Sequence, residues 1–344
     1  MDKRKNIKIV FFSDTHLGFD YPLKTTSKPH RGEDFYNNFT RVLDRAKKIN
    51  ADLIIHGGDL FDKADVSQKI IDRCYDALYQ VADFGIPTIL IPGNHDKKKL
   101  PTSLFVEHPN LYFQNYTSSI TLKLNGKEFD IHTLPYLKEI GNTIEGELSK
   151  LITDDDSNNY KILLMHQSLE GSKVGPVDFT FKNTKDTVGQ SQIPSHYDLV
   201  LSGHIHRYQV LEIATDENKK IPFIYSGSTE RTSFSEIKEE KGFVVLEFKR
   251  NKSFLSPEIT FEKLPMRTMH DIIIERNITD DKEIEKELIQ RAKDIEANAI
   301  IRVVSDNDET KLKLKTKLLK KCFSESSIVS VKGLSSLYRT PKYK

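Results

Sequence analysis

The sequence predicts an α/β fold with one large domain and one small α+β domain, on three observations. Short β-branched or aromatic runs alternate with amphipathic stretches from Ile7 to Ile91. Carboxylates, histidines and an asparagine recur directly after the predicted strands. Near Leu264-Pro265 the pattern changes and a second, shorter alternation begins.

Ile7 to Phe12 reads as a buried strand, because β-branched and aromatic residues dominate it. Residues 33–49 read as a helix with Phe35, Phe39, Val42, Leu43 and Ala46 on one face. Asp52 to Ile55 is a second strand. Residues 66–84 are a second helix, striped by Ile70, Cys74, Ala77, Leu78 and Val81. Pro87 to Ile91 is a third strand, and the alternation argues for parallel strands with crossover helices. The middle differs. Tyr112–Asn115, Ile120–Leu124 and Glu128–Leu134 are short strands, with an Asn125-Gly126 hairpin turn between the last two. Strands resume at Lys161–Met165, Leu199–Ser202, Phe223–Ser226 and Phe243–Phe248. Beyond residue 265, His270–Arg276, Ala299–Val304 and Ile328–Val331 read as strands. Asp280–Glu296 and Asp308–Cys322 between them read as helices.

The bulk composition narrows the class. With 344 residues and 37% apolar side chains the chain can bury a sizeable core. Its 52 Lys and Arg against 50 Asp and Glu give a charge of +2, so any surface for nucleic acid must be local. Two cysteines, Cys74 and Cys322, imply no disulfide framework and fit a reducing cytoplasm. No stretch approaches the ~20 apolar residues of a membrane span. The N-terminal run is broken by Lys8 and closed by Ser13-Asp14, too short and polar for a signal peptide.

The chemistry sits in five patches: Asp14-Thr15-His16, Gly58-Asp59, Gly93-Asn94-His95-Asp96, Met165-His166 and Gly203-His204-Ile205-His206. Each follows a predicted strand, where open α/β sheets bind ligands. A lone Asp-x-His is ordinarily a turn, and a lone histidine is ordinarily core or surface. The joint pattern decides otherwise. Asp14, His16, Asp59, Asn94, His166, His204 and His206 supply what two divalent ions need. Carboxylate with imidazole suits Mn²⁺, Fe²⁺ or Zn²⁺ better than Mg²⁺, and Mn²⁺ is the expected ion. Asp59 can bridge, one oxygen to each ion. Two ions about 3.5–4 Å apart hold a phosphate ester and neutralise its developing charge. His95 points elsewhere if Asn94 ligates, so its expected role is to contact the scissile phosphate and protonate the leaving oxygen. Asp62 could accept a hydrogen bond from His95 and fix its tautomer; on that expectation Asp62→Asn lowers turnover with both metals retained. His30, His108, His196 and His270 lie outside the patches and are read as structural, and His56 and His132 as satisfying core hydrogen bonds.

The patches together resemble the calcineurin-like metallophosphoesterases. Gly57 to Asp62, and Tyr225-Ser226-Gly227-Ser228-Thr229-Glu230-Arg231-Thr232-Ser233-Phe234, resemble the DNA double-strand-break repair nuclease branch of that superfamily. That branch is the SbcD, or meiotic-recombination-eleven, family. The resemblance implies a two-sheet metallophosphoesterase sandwich flanked by helices over residues 1–265. It also implies a small α+β capping domain that binds DNA over residues 266–344. It assigns Asp14, His16, Asp59 and His206 to one metal, and Asp59, Asn94, His166 and His204 to the other. His95 matches the family's catalytic histidine. It further implies a homodimer through helices near residues 33–49 or 66–84, and an SMC-like ATPase partner of the SbcC type. Where archaeal and eukaryotic members usually carry histidine, this chain has Asp62, as the bacterial type does. Members normally continue past the cap into a helical ATPase-binding segment, whereas this chain stops at Lys344.

For DNA, the residues themselves offer Lys97, Lys98 and Lys99 beside the third patch, and Arg31 at the end of a basic loop from Lys24. Lys311 to Lys344 holds ten basic residues and one acid, Glu325, though a charge run is ordinarily a solvated face. Nothing resembles base-edge readout, so binding should be sequence-independent and steeply salt-sensitive. The expected activity is metal-dependent DNA phosphodiester hydrolysis in break repair or recombination. The alternatives are a cyclic-nucleotide or other small-substrate phosphodiesterase, and a non-catalytic DNA- or ATPase-binding scaffold. A small-substrate enzyme has no use for a cap, and a scaffold has no use for seven ligands.

Overall fold

Ile7–Phe12 forms strand β1 and buries side chains on both faces. Ile7, Ile9 and Phe11 join the core between two sheets, while Val10 and Phe12 join another beneath two helices. A strand covered on both sides is nearly continuous in apolar residues, which is why this one lacks alternation apart from the partly exposed Lys8. In the computed structural model, residues 6–20, 31–96, 100, 108–151, 158–215, 219–249, 256–275, 278–324 and 326–332 are described. Lys97, Lys98, Lys99 and the loop from Lys24 to residue 30 lie outside them.

After β1 come α1 (Gly32–Lys48), β2 (Leu53–His56), α2 (Gln68–Asp83), β3 (Thr88–Leu90) and β4 (Leu111–Phe113). The four strands pair in parallel in that order, with α1 and α2 as crossovers. Phe35, Phe39, Val42, Leu43 and Ala46 are the buried stripe of α1. In α2 the stripe begins at Ile71, one residue later than expected. The strand expected at Tyr112–Asn115 is β4, the last parallel strand of this first sheet.

The second sheet begins with the hairpin of β5 (Ser118–Leu124) and β6 (Lys127–Leu134). Asn125 and Gly126 turn it with φ of 46° and 86°, both left-handed, as a two-residue hairpin loop demands. Then follow α3 (Ile140–Leu148), β7 (Tyr160–His166), the short hairpin β8 (Lys173–Val174) and β9 (Phe179–Thr180), β10 (Leu199–Gly203), β11 (Gln209–Ala214) and β12 (Lys220–Tyr225). The sheet order is β11-β12-β10-β7-β6-β5. The chain returns to the first sheet through β13 (Gly242–Phe248), antiparallel to β1, and β14 (Glu258–Lys263). Phe129, Ile131, Ile162, Leu164, Leu199 and Leu201 meet the inner face of the first sheet. Burying such a side chain contributes about 1.5–3 kcal/mol, so this layer sets the distance between the two sheets.

The remaining elements are β15 (Met269–Ile273), α4 (Asp281–Ala292), β16 (Ile300–Val304), α5 (Asp308–Lys313), α6 (Thr316–Cys322) and β17 (Ser327–Lys332). Strands β15, β16 and β17 are parallel, and Ile272 of β15 with Ile301 and Val303 of β16 share a separate core with Ile284, Leu288, Leu314 and Leu319. The single helix expected over Asp308–Cys322 is broken at Leu314, whose ψ of 59° leaves the helical range. Its side chain is 4% exposed, so burying Leu314 accompanies the break.

Candidate metal centre

Parallel pairing carries the patches together. Phe12 is in register with His56, and beyond the strand ends the two loops stay paired. Asp14 N donates to the Gly58 carbonyl (2.9 Å), and His16 N to that of Asp59 (3.1 Å). In the other sheet, Gly203 is in register with His166, so His204 emerges beside it. The backbone is bent for this purpose: Asp14, His16, Asp59 and His204 have φ of 53°, 45°, 52° and 82°. Left-handed non-glycine residues are uncommon, and such strain, of order 1–3 kcal/mol each, concentrates at functional sites. Gly93 must be glycine, since a Cβ there would lie 2.1 Å from Asp59 Oδ1.

The donors fall into two groups that share Asp59. His166 Nε2 lies 3.3 Å from Asp59 Oδ2 and 3.2 Å from Asn94 Oδ1, and His204 Nδ1 lies 2.8 Å from the same Asn94 oxygen. In the other group, His16 Nε2 and His206 Nε2 are 3.0 Å apart, with Asp14 Oδ1 3.8 Å from His206 Nε2. Donor atoms of Asp14, His16 and His206 lie within 4.8 Å of one another, as do those of Asp14, Asp59 and His166. Those of His16, Asp59 and His95 do too, so His95 stands at the mouth of the same cavity.

Neighbouring groups aim the imidazoles. His166 Nδ1 donates to the Gly57 carbonyl (2.7 Å), which turns its Nε2 inward, toward Asp59 Oδ2 and Asn94 Oδ1. His206 Nδ1 donates to Glu236 Oε1 (3.1 Å), which likewise turns its Nε2 inward. Burial would raise Glu236, but Lys241 and His206 hold it well below the carboxylate range. Burial, reinforced by His206, keeps His16 well below its ordinary value, and burial with His166 lowers His204 to about 3. Burial alone would lower His166 too, yet Asp59 carries it up to about 9. The Asp96 carboxylate accepts from Gly93 N (2.9 Å), Phe61 N (3.0 Å) and Leu60 N (3.2 Å), so it ties the second patch to the third. The sequence offered no signal for Glu236 or Lys241. Asp96 stood in a patch without an assigned role.

Divalent cations fit this donor set. With its proton on Nδ1, His206 presents a lone pair at Nε2. If the His16 proton sits on Nε2, the fully buried Nδ1, which has no hydrogen-bond partner among the described residues, holds an unpaired lone pair. If it sits on Nδ1, two lone pairs face each other at 3.0 Å. A cation between the two Nε2 atoms removes that repulsion and leaves the His16 proton on Nδ1, on the side of the Asp62 carboxylate 3.8 Å away.

Two expected roles need correction. His95 Nδ1 lies 2.6 Å from the Asp62 backbone carbonyl, not its carboxylate. A carbonyl only accepts, so it fixes the tautomer by itself, whatever the side chain. The Asp62 carboxylate sits 3.8 Å from His16 Nδ1 instead. Arg31 does not face DNA: it is 2% exposed, donates to the Arg231 carbonyl (2.5 Å), lies 3.7 Å from Glu230, and covers the Phe19 and Phe35 rings. A guanidinium this buried, laid over two aromatic rings and beside a carboxylate, is not presented to a phosphate at the surface. In the C-terminal basic run, Lys311, Lys313 and Lys321 pair with Asp308, Glu309 and Glu285, so these three charges are neutralised within their own domain. His56 bonds Thr15 Oγ1 (3.1 Å) and Gly58 N (3.3 Å), and His132 Nδ1 bonds Tyr197 Oη (2.9 Å). Among the described residues no helix is long and apolar enough to cross a membrane.

A two-sheet α/β sandwich with carboxylate, imidazole and amide donors gathered at its strand ends is the fold and site of a metallophosphoesterase. The chain belongs to the calcineurin-like phosphoesterase family, whose pattern it matches over residues 7–208. Membership implies divalent metal ions at this centre. The chain is 28% identical over 289 residues to the DNA double-strand break repair protein Mre11 of Methanococcus maripaludis, covering 82% of this chain and 71% of that one. It is 25% identical over 311 residues to the Mre11 protein of Saccharolobus solfataricus (88% and 76% covered). To the SbcD component of the nuclease SbcCD of Staphylococcus epidermidis it is 29% identical over 267 residues (72% and 67% covered).

Proposed function

We propose that this protein is a Mn²⁺-dependent DNA nuclease of double-strand-break repair or recombination, working as a homodimer with an SMC-like ATPase. The observation that carries the reading is the pair of donor groups sharing Asp59 beneath an exposed histidine, His95. The break-repair names of its relatives support DNA as the substrate. Asp14, His16, Asp59 and His206 would hold one ion, and Asp59, Asn94, His166 and His204 the other. When bound, the pair supplies a deprotonated water and charge neutralisation at phosphorus. The chain's own residues do the rest. Gly57 and Glu236 aim the imidazoles, Asp96 clamps two loops together, and His95, its Nδ1 held by the Asp62 carbonyl, presents Nε2 to the leaving oxygen. As an imidazolium it donates that proton. Residues 1–265 form the catalytic unit in this reading, and residues 266–344 a cap over the substrate, with Lys97, Lys98 and Lys99 against backbone phosphates.

The test is Mn²⁺-dependent cleavage of linear duplex, single-stranded and circular DNA beside a chromogenic phosphodiester, with His95→Asn in parallel. DNA cleavage lost in His95→Asn is the expected result. Rapid turnover of the small diester with intact DNA would defeat the nuclease reading.

A further inference from the structure

The segment from Thr232 to Lys241 has two faces that serve different parts of the molecule. On one, Glu236 Oε1 accepts from His206 Nδ1 (3.1 Å) and Thr232 Oγ1 (2.8 Å), and Oε2 lies 2.9 Å from Lys241 Nζ. Lys241 is 1% exposed and also donates to the His206 carbonyl (2.7 Å). Side chain and backbone of His206 are therefore both gripped by this segment. On the other face, Phe234 packs with Met269 and Ile300 of the C-terminal sheet, with Ile237 against them. The Arg302 guanidinium lies 4.3 Å from the Phe234 ring centroid and is itself bidentate to Asp271 (2.5 and 2.7 Å). Arg231, at the head of the segment, donates to the Glu239 carbonyl (3.1 Å).

Phe234 and Glu236 bound a single 3₁₀ turn, Phe234–Glu236. A turn this short cannot absorb a displacement of one end without moving the other. We propose that Glu236 is a positioning residue for His206, and that the seat of Phe234 on the C-terminal sheet sets where Glu236 stands. Any ligand or partner that shifts the C-terminal sheet then reaches a metal ligand through two residues of chain. The carboxylate holds the imidazole in the tautomer that offers Nε2 to the cleft, and Lys241 supplies the counter-charge that lets an anion sit there. A merely structural Glu236–Lys241 pair would also stabilise the turn, but it would leave His206 indifferent to its loss.

The inference rests on reading His206 as a metal ligand, so His206→Ala is measured first. If that variant binds Mn²⁺ like the wild type by calorimetry, the ligand reading fails, whatever Glu236 does. If affinity drops, Glu236→Ala and the isosteric Glu236→Gln follow, with histidine ¹⁵N spectra of the metal-free proteins reporting the His206 tautomer. Loss of an outer hydrogen-bond partner commonly costs 10–100-fold in metal affinity. We expect a loss of about 100-fold for Glu236→Ala and about 10-fold for Glu236→Gln, which keeps an accepting oxygen. A mixed His206 tautomer is expected in Glu236→Ala. Should Glu236→Ala not fold, Glu236→Gln decides alone. Wild-type affinity with an unchanged ¹⁵N pattern overturns the positioning role. Phe234→Ala, whose side chain stays out of the cleft, should weaken Mn²⁺ binding in the same direction; unchanged affinity there overturns the link to the C-terminal sheet.

Discussion

Two clusters of buried charge lie on either side of the 232–241 segment, and they are built on opposite rules. At the junction with the C-terminal unit, cation and carboxylate alternate. Arg31 stands beside Glu230, Arg267 donates to Asp34 (3.1 Å), and Asn38 donates to both Glu230 (3.1 Å) and the Pro265 carbonyl (3.4 Å). In the cleft, ligand-type donors crowd together, with His16 Nε2 and His206 Nε2 3.0 Å apart, and His16 Nδ1 is left without a partner among the described residues. The first arrangement stabilises the fold as it stands. The second is incomplete, with the imidazoles of His16, His166 and His206 and the carboxylates of Asp14 and Asp59 turned toward one cavity. A buried polar cluster that pairs internally is architecture; one that points its acceptors at each other awaits a cation.

The sharpest way to break this comparison is to alter the cleft. Chelation of divalent ions should abolish phosphodiester hydrolysis, and Mn²⁺ should restore it. Mn²⁺ at a hundredfold excess over its Kd should also stabilise the folded state by about 2.7 kcal/mol in thermal unfolding. A cleft that is complete on its own would gain nothing. His95→Asn should lower kcat about 10²- to 10⁴-fold, the range for a general acid, with metal stoichiometry by calorimetry unchanged. Lost metal in that variant would instead make His95 a ligand, a role its position beside His16 and Asp59 permits.

The junction should respond in stability rather than catalysis. Arg31→Met strips the Arg231 carbonyl of its donor and should cost about 1–3 kcal/mol in denaturant unfolding. The salt dependence of DNA binding should not change. A reduced salt slope would mean that Arg31 reaches phosphate after all. Burial, only partly offset by the Arg231 amide and Arg31, pushes the Glu230 carboxyl up from 4.5 to about 7. Between those values the folded state holds a proton that the unfolded chain has released, so stability falls as pH rises through this window. Glu230→Gln should flatten the decline, as read from unfolding midpoints between pH 4.5 and 7. An unchanged slope would place the titration elsewhere.

The cleft was legible in the sequence and the junction was not, for physical reasons. Parallel strands deliver their C-terminal ends to one edge, so a donor after each strand is enough to gather Asp14, Asp59, Asn94, His166 and His204. Glu236 reaches His206 across thirty residues, from a turn whose Phe234 packs on the C-terminal sheet. No spacing rule captures that. Arg31 misled because it ends a basic loop, although Phe35, one helical turn further on, was a sign that its guanidinium could lie over a ring. The lysines of the C-terminal run carried their own warning. Asp308 and Glu309 precede Lys311 and Lys313 by three and four residues, the spacing at which helical charges pair.

Asp62 stands at the rim between the two regimes and separates them most finely. Its carbonyl, 2.6 Å from His95 Nδ1, survives any substitution of the side chain. Asp62→Asn should therefore leave kcat close to the wild-type value, because the carbonyl that holds His95 is retained. That reverses the expectation that the carboxylate orients His95. The same carboxylate lies 3.8 Å from His16 Nδ1, beyond hydrogen-bond reach but near enough to close on it. A tenfold fall in kcat with weakened Mn²⁺ binding would mean that it does close, and that Asp62 supports a metal ligand. A tenfold fall with Mn²⁺ binding intact would return the carboxylate to His95 and make the carbonyl contact incidental.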